Sequence, residues 1–165
     1  MIIMSKGPSR NFLIVQPTAG GKTHIIRMLC TYFRGIHVIT HPILALSGDQ
    51  VEQFRKGNEA YGPIEVHNLD RSVKVDPHFL PRLICHLRNV PTKTSRTIIL
   101  IASPQLYTKS NNLVKVLHHC HRKGTFRSLH HDEGHLLAQH GESFRWQIRD
   151  MAKVLIAPID KGIQD

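Results

Sequence analysis

What most constrains the fold is an alternation along the chain, in which short β-rich apolar runs are separated by longer amphipathic stretches. Residues 97–102, Thr-Ile-Ile-Leu-Ile-Ala, give the strongest strand signal, and residues 11–15, Asn-Phe-Leu-Ile-Val, read as a buried strand. Residues 36–40 form another such run, residues 64–69 a weaker one, and residues 125–131 a strand poor in apolar positions. Between them, residues 23–33 carry helical spacing with Ile26, Leu29 and Phe33 on one face. Helices are expected over residues 44–56, 77–89, 113–121 and 142–154 as well, the second opening on a proline suited to a first turn. Strands and helices alternating at this spacing imply βαβ units and a mainly parallel sheet. The expected architecture is a three-layer α/β fold.

One segment of that pattern carries chemistry. Gln16-Pro17-Thr18-Ala19-Gly20-Gly21-Lys22-Thr23 stands between a strand and a helix. Phosphates need a turn whose backbone N–H groups point inward, and glycines permit the close approach. The helix that follows adds its positive end. Lys22 would reach the β- and γ-phosphates, and the Thr23 hydroxyl would ligate Mg²⁺. Gln16 occupies the place of the first glycine in the strict pattern.

Charge narrows the partners. Twenty-two Lys and Arg against twelve Asp and Glu give +10 and an isoelectric point near 10.0, which favours a polyanion. Three separated cysteines, Cys30, Cys85 and Cys120, read as reduced thiols of an intracellular protein, each a small core residue. No stretch reaches membrane-spanning length and no signal peptide is evident, so no membrane partner is expected. Thirteen histidines invite a zinc reading: His118, His119, Cys120 and His121 lie near His130, His131 and His135 in sequence, and imidazole and thiolate suit that ion. Surface histidines on a basic protein are the simpler account.

The motifs together resemble the first lobe of superfamily 2 helicases, in particular the RecQ branch. Pro17-Thr18 before Gly21-Lys22-Thr23 looks like motif I, and the segment 38–51, with Pro42 and Asp49-Gln50-Val51, is similar to motif Ia. Ser103-Pro104-Gln105-Leu106 resembles a later DNA-backbone contact segment. Asp132-Glu133-Gly134-His135 resembles the Asp-Glu-Ala-His box, and Ser143-Phe144-Arg145 the aromatic-rich loop after it. The likeness runs in order over residues 11–149.

The resemblance implies an ATP-dependent DNA helicase with ATP and Mg²⁺ as cofactors. Pro17, Thr18, Ala19, Gly20, Gly21, Lys22 and Thr23 would cradle the nucleotide. Asp132 would hold Mg²⁺ with Thr23, Glu133 would polarise the attacking water, and His135 would couple the nucleotide to the DNA surface. Pro42, Asp49, Gln50, Ser103, Pro104, Phe144 and Arg145 would contact nucleic acid, DNA ahead of RNA. Residues 1–10 would be an N-terminal extension, 11–157 an incomplete RecA-like ATP-binding domain and 158–165 a tail. A Ser/Thr-Ala-Thr motif III is not found in the chain, and a second RecA-like lobe, in cis or trans, would supply the arginine finger. The implied location is intracellular, nuclear in a eukaryote. A module that holds nucleic acid without turning over ATP is the alternative reading.

Overall fold

The computed structural model describes residues 2–5, 12–15, 21–40, 47–55, 62–131, 146 and 149–156. Strand β1 (Ile2–Ser5) pairs antiparallel with β2 (Phe12–Val15), Ile2 opposite Val15. Helix α1 (Lys22–Tyr32) leads into β3 (Gly35–Thr40), and α2 (Ser47–Arg55) into β4 (Ile64–Asn68). Helices α3 (Leu69–Val75) and α4 (Phe79–Arg88) precede β5 (Thr97–Ala102). Helices α5 (Pro104–Lys109) and α6 (Asn111–Arg122) precede β6 (Phe126–His131), and a π-helical turn covers Ala152–Ile156.

Four strands form one all-parallel sheet in the order β4-β5-β3-β6. The central pair, β3 and β5, is buried along its whole length, as an apolar run covered on both faces must be. Two clusters fill the two sides. Cys30, Ile39, Val51, Phe54, Ile99 and Ile101 pack under α1 and α2. Ile36, Val38, Ile98, Leu100, Leu83, Leu87, Leu113 and Leu117 pack under α4 and α6. Helices on both faces of a parallel sheet make the three-layer α/β architecture that the alternation predicts.

Several local expectations need correction. Helix α1 turns Ile26 and Cys30 inward, whereas Leu29 and Phe33 are 38% and 47% exposed. The helix expected over 77–89 begins at Phe79, and a separate helix, α3, precedes it. Asn68 starts α3 by accepting the Arg71 N–H on its side-chain oxygen, 3.1 Å. Ser103 and Pro104 open a short helix, α5, with proline in its first turn. Cys30 and Cys120 are core residues, but Cys85 is exposed. The strand β2, which leads into the phosphate-loop segment, belongs to the two-stranded pair and not to the parallel sheet.

Candidate functional site

Gly21 precedes α1 in the left-handed region, φ +83°, a conformation glycine adopts without the Cβ penalty. Among the described residues no side chain caps the helix, and its first turn holds no acidic residue, so its leading N–H groups point outward with the positive helix end. Lys22 and Thr23 fill that first turn, both half-buried. A recess of about 250 Å³ lies beside it, lined by Thr23, His24, Arg27 and Gln53. Arg27 Nη1 donates to the Gln53 carbonyl at 2.8 Å, tying α1 to α2.

The direction of α1 follows from its far end. Thr97, at the start of β5, donates its hydroxyl to the Cys30 carbonyl at 3.2 Å. Cys30 therefore stands at the N-terminal edge of the parallel sheet. At 1.5 Å per residue, Lys22 begins the helix about 12 Å away, toward the C-terminal edge. Ligands of open parallel sheets collect at that edge. Strand β6 ends there at His131, one position before Asp132 in the sequence.

Of the other expected site residues, Asp49 and Gln50 lie on α2. Ser103 is 6% exposed, and both its amide and its hydroxyl donate to the Asp70 carboxylate, at 2.6 and 2.8 Å. Pro104 is buried beside it. The two thus start α5 inside the fold, with Asp70 of α3 as the anchor. Pro17, Thr18, Ala19, Gly20, Pro42, Asp132, Glu133, His135, Phe144 and Arg145 lie outside the described residues.

A second polar group lies on the α1 side of the sheet, and the sequence reading missed it. His37 of β3 stands opposite Ser128 of β6, and Ile39 opposite His130, so His37, Ser128 and His130 share one face. His37 Nε2 lies 2.7 Å from the Phe33 carbonyl, so that nitrogen carries the proton and donates. Its Nδ1 lone pair faces the Ser128 hydroxyl at 2.6 Å. Ser128 Oγ is also 2.7 Å from His130 Nε2, which in turn lies 3.8 Å from the Cys30 sulfur. Burial first, then the neighbouring His130, draws His37 down to about 3. Burial likewise draws His130 down to about 4 and pushes the Cys30 thiol up to about 12. All three are neutral at pH 7. The available signal was His37 itself, a polar residue inside an apolar strand, which demands partners.

The histidines adjacent in sequence behave differently. On α6, His118 Nε2 bonds the Leu155 carbonyl at 3.2 Å, His121 is exposed against the Phe126 ring, and the Cys120 thiol donates to the Leu87 carbonyl. Their side chains diverge, and among the described residues they form no metal-ligating group.

No protein-family model matches the chain, and no curated protein matches it in sequence. Among the described residues, no helix is long and apolar enough to cross a membrane.

Proposed function

We propose that the chain is the ATP-binding motor lobe of a RecQ-like DNA helicase, coupling ATP hydrolysis to strand separation when a second RecA-like lobe completes it. The observation that carries this reading is the opening of α1. A left-handed Gly21 turns directly into Lys22 and Thr23, on a helix end that no described side chain caps, toward the C-terminal edge of a parallel sheet. That is where a triphosphate finds N–H donors, an ammonium and a hydroxyl for Mg²⁺ together. The order of the remaining motifs supports the rest: Asp132 for Mg²⁺, Glu133 for the attacking water, His135 for coupling.

One observation favours the second reading, a nucleic-acid-binding module without ATP turnover. A phosphate loop is held rigid by the strand before it, yet β2 pairs with β1 outside the four-stranded sheet. The two readings share the nucleic-acid partner and differ in turnover.

The test has two stages. Titration with a fluorescent ATP analogue and Mg²⁺ should show binding that Lys22→Ala weakens at least about tenfold, since one charge-assisted contact contributes about 1.5–3 kcal/mol. Binding indifferent to that substitution removes the nucleotide site from α1. Phosphate release with saturating single strand then separates the readings. A partner lobe's arginine supplies roughly 10³–10⁵ of the rate in related machines, so the chain alone should turn over slowly. Addition of the partner lobe should raise turnover, and Glu133→Gln should abolish it. Strand binding with no nucleotide binding at all selects the module.

A further inference from the structure

We propose that Cys30, His37 and His130 together bind one zinc ion, which ties helix α1 to strands β3 and β6. The site is independent of the nucleotide reading, since Cys30 lies near the opposite end of α1 from Lys22. One ligand atom from each residue can be chosen so that all three lie within 4.8 Å of one another. The ligands come from three elements and are up to 100 positions apart, so the fold itself brings them together. With Zn–S near 2.3 Å and Zn–N near 2.0–2.1 Å, a tetrahedral S···N edge is about 3.6 Å. Cys30 Sγ and His130 Nε2 already stand 3.8 Å apart.

His37 already holds the tautomer the ion needs. His37 donates Nε2–H to the Phe33 carbonyl, which fixes the ring and turns the Nδ1 lone pair toward the site. A ligand histidine characteristically spends its other N–H in this way. In the metal-free arrangement the one Ser128 O–H donates to His37 Nδ1, so His130 Nε2–H donates to Ser128 Oγ. To bind the ion, His130 takes its other neutral tautomer, with the proton on Nδ1 and Nε2 free. Neither ring needs to lose a proton, because burial keeps both neutral well below pH 7. Cys30 is the one ligand that must ionise: its S–H bond breaks, the sulfur pair goes to zinc, and one proton leaves to solvent. The buried thiol resists ionising alone, and the metal charge removes the reason for that resistance.

In the metal-free arrangement the Ser128 hydroxyl lies between the two ring nitrogens. Rotation of its side chain to another staggered position opens that space. A water molecule then completes four-coordination. Zinc here would fasten the helix that carries Lys22 and Thr23 to two strands of the sheet.

The full chain, stripped of metal with a chelator under reducing conditions, is titrated with Co²⁺ as the spectroscopic probe. The expected result is one equivalent bound with a thiolate-to-cobalt charge-transfer band and tetrahedral visible bands, all displaced by Zn²⁺. In enough denaturant to open the core, zinc should also protect Cys30 from alkylation, read by peptide mass, while exposed Cys85 reacts with or without it. Cys30→Ser should erase the charge-transfer band. Loss of a hydrogen-bond partner behind a ligand already costs about 10–100-fold in affinity, so His130→Gln should cost about 100-fold or more. His119→Gln and His121→Gln on α6 should bind as the parent does. The parent titration needs no variant to fold. No charge-transfer band, equal alkylation of Cys30 with and without zinc, or loss of binding in the α6 variants instead overturns the site and leaves a neutral hydrogen-bonded cluster.

Discussion

His37 interrupts an otherwise apolar strand, and its side chain is 1% exposed. The ring survives burial because both nitrogens are engaged, one by the Phe33 carbonyl and one by Ser128. Around it stand Cys30 from α1, Ser128 and His130 from β6, and the charge of Arg127, which also disfavours its protonation. Unfolded, each ring would take a proton below about pH 6.5. Folded, His37 waits until about 3 and His130 until about 4. The unfolded state therefore binds more protons in that window, and stability must fall as pH falls through it. We expect the metal-free chain to lose up to about 1.4 kcal/mol per pH unit for each ring between pH 6 and 4.5. His37→Gln should remove one proton's worth of that slope in thermal melts at stepped pH. Glu65, held low by the hydrogen bond from His67, titrates later in the descent and with the same sign. A melting temperature flat from pH 6.5 to 4.5 would contradict the neutral pair. Asp70 is the other residue with a disproportionate role, because one carboxylate takes both the amide and the hydroxyl of Ser103. Hydrogen bonds to a charged group contribute about 1.5–3 kcal/mol, so Asp70→Ala should cost about 2–3 kcal/mol in urea unfolding. Ser103→Ala, which keeps the amide bond, should cost about 1 kcal/mol. Equal costs for the two would mean that the amide bond contributes nothing.

At the scale of elements, β3 and β6 meet in a close approach. Gly35 opens β3 at φ +140°, and a Cβ there would stand 2.5 Å from the Thr125 carbonyl and 2.8 Å from Arg127 Cγ. Gly35→Ala combines a disfavoured backbone with a clash against main chain, so it should cost about 2 kcal/mol or more. For a chain of this size that is a fall of about 4–8 °C in melting temperature. Gly124→Ala meets nothing within 4 Å and carries only the backbone strain at φ +74°, so its loss should be the smaller one. The elements differ in how much of them could be read in advance. Residues 97–102 announce a buried strand because every side chain is apolar or β-branched or small, and the observed β5 has those bounds. Helix α3 could not be read, because Leu69 is the only buried residue in its seven and helical spacing has nothing to show. Helix α5 has only six residues, too few for helical spacing to show, and its start is fixed by a distant partner, Asp70. The Gly21-Lys22-Thr23 start of α1 could be read as a local string, whereas the Cys30, His37 and His130 group could not. Its members become neighbours only through β3–β6 pairing, and the strand that supplies His130 is the least apolar of the sheet.

Charge acts over the whole molecule. The chain carries +10, and Arg55, Arg82 and Lys153 pair with Glu52, Asp76 and Asp150. Exposed basic residues are spread over several elements: Arg71 and Lys74 on α3, Arg88 on α4, Lys109 on α5, Lys115 on α6, Arg127 on β6. A field of that kind draws a polyanion without reading its sequence. Contacts made by burying apolar surface would barely respond to salt, whereas phosphate neutralisation releases counterions and must. We therefore expect single-stranded DNA to bind the chain with little sequence preference. If three or more phosphates are neutralised, affinity should fall about tenfold or more between 50 and 200 mM salt. Fluorescence anisotropy with two labelled strands of unrelated sequence at both salt concentrations measures this. The motor and the binding module both require that outcome, because either must hold the backbone before anything else happens. Affinity unchanged by salt would mean apolar or base-specific contacts carry the binding. No binding at 50 mM would remove nucleic acid as the partner, leaving the basic surface to some other polyanion.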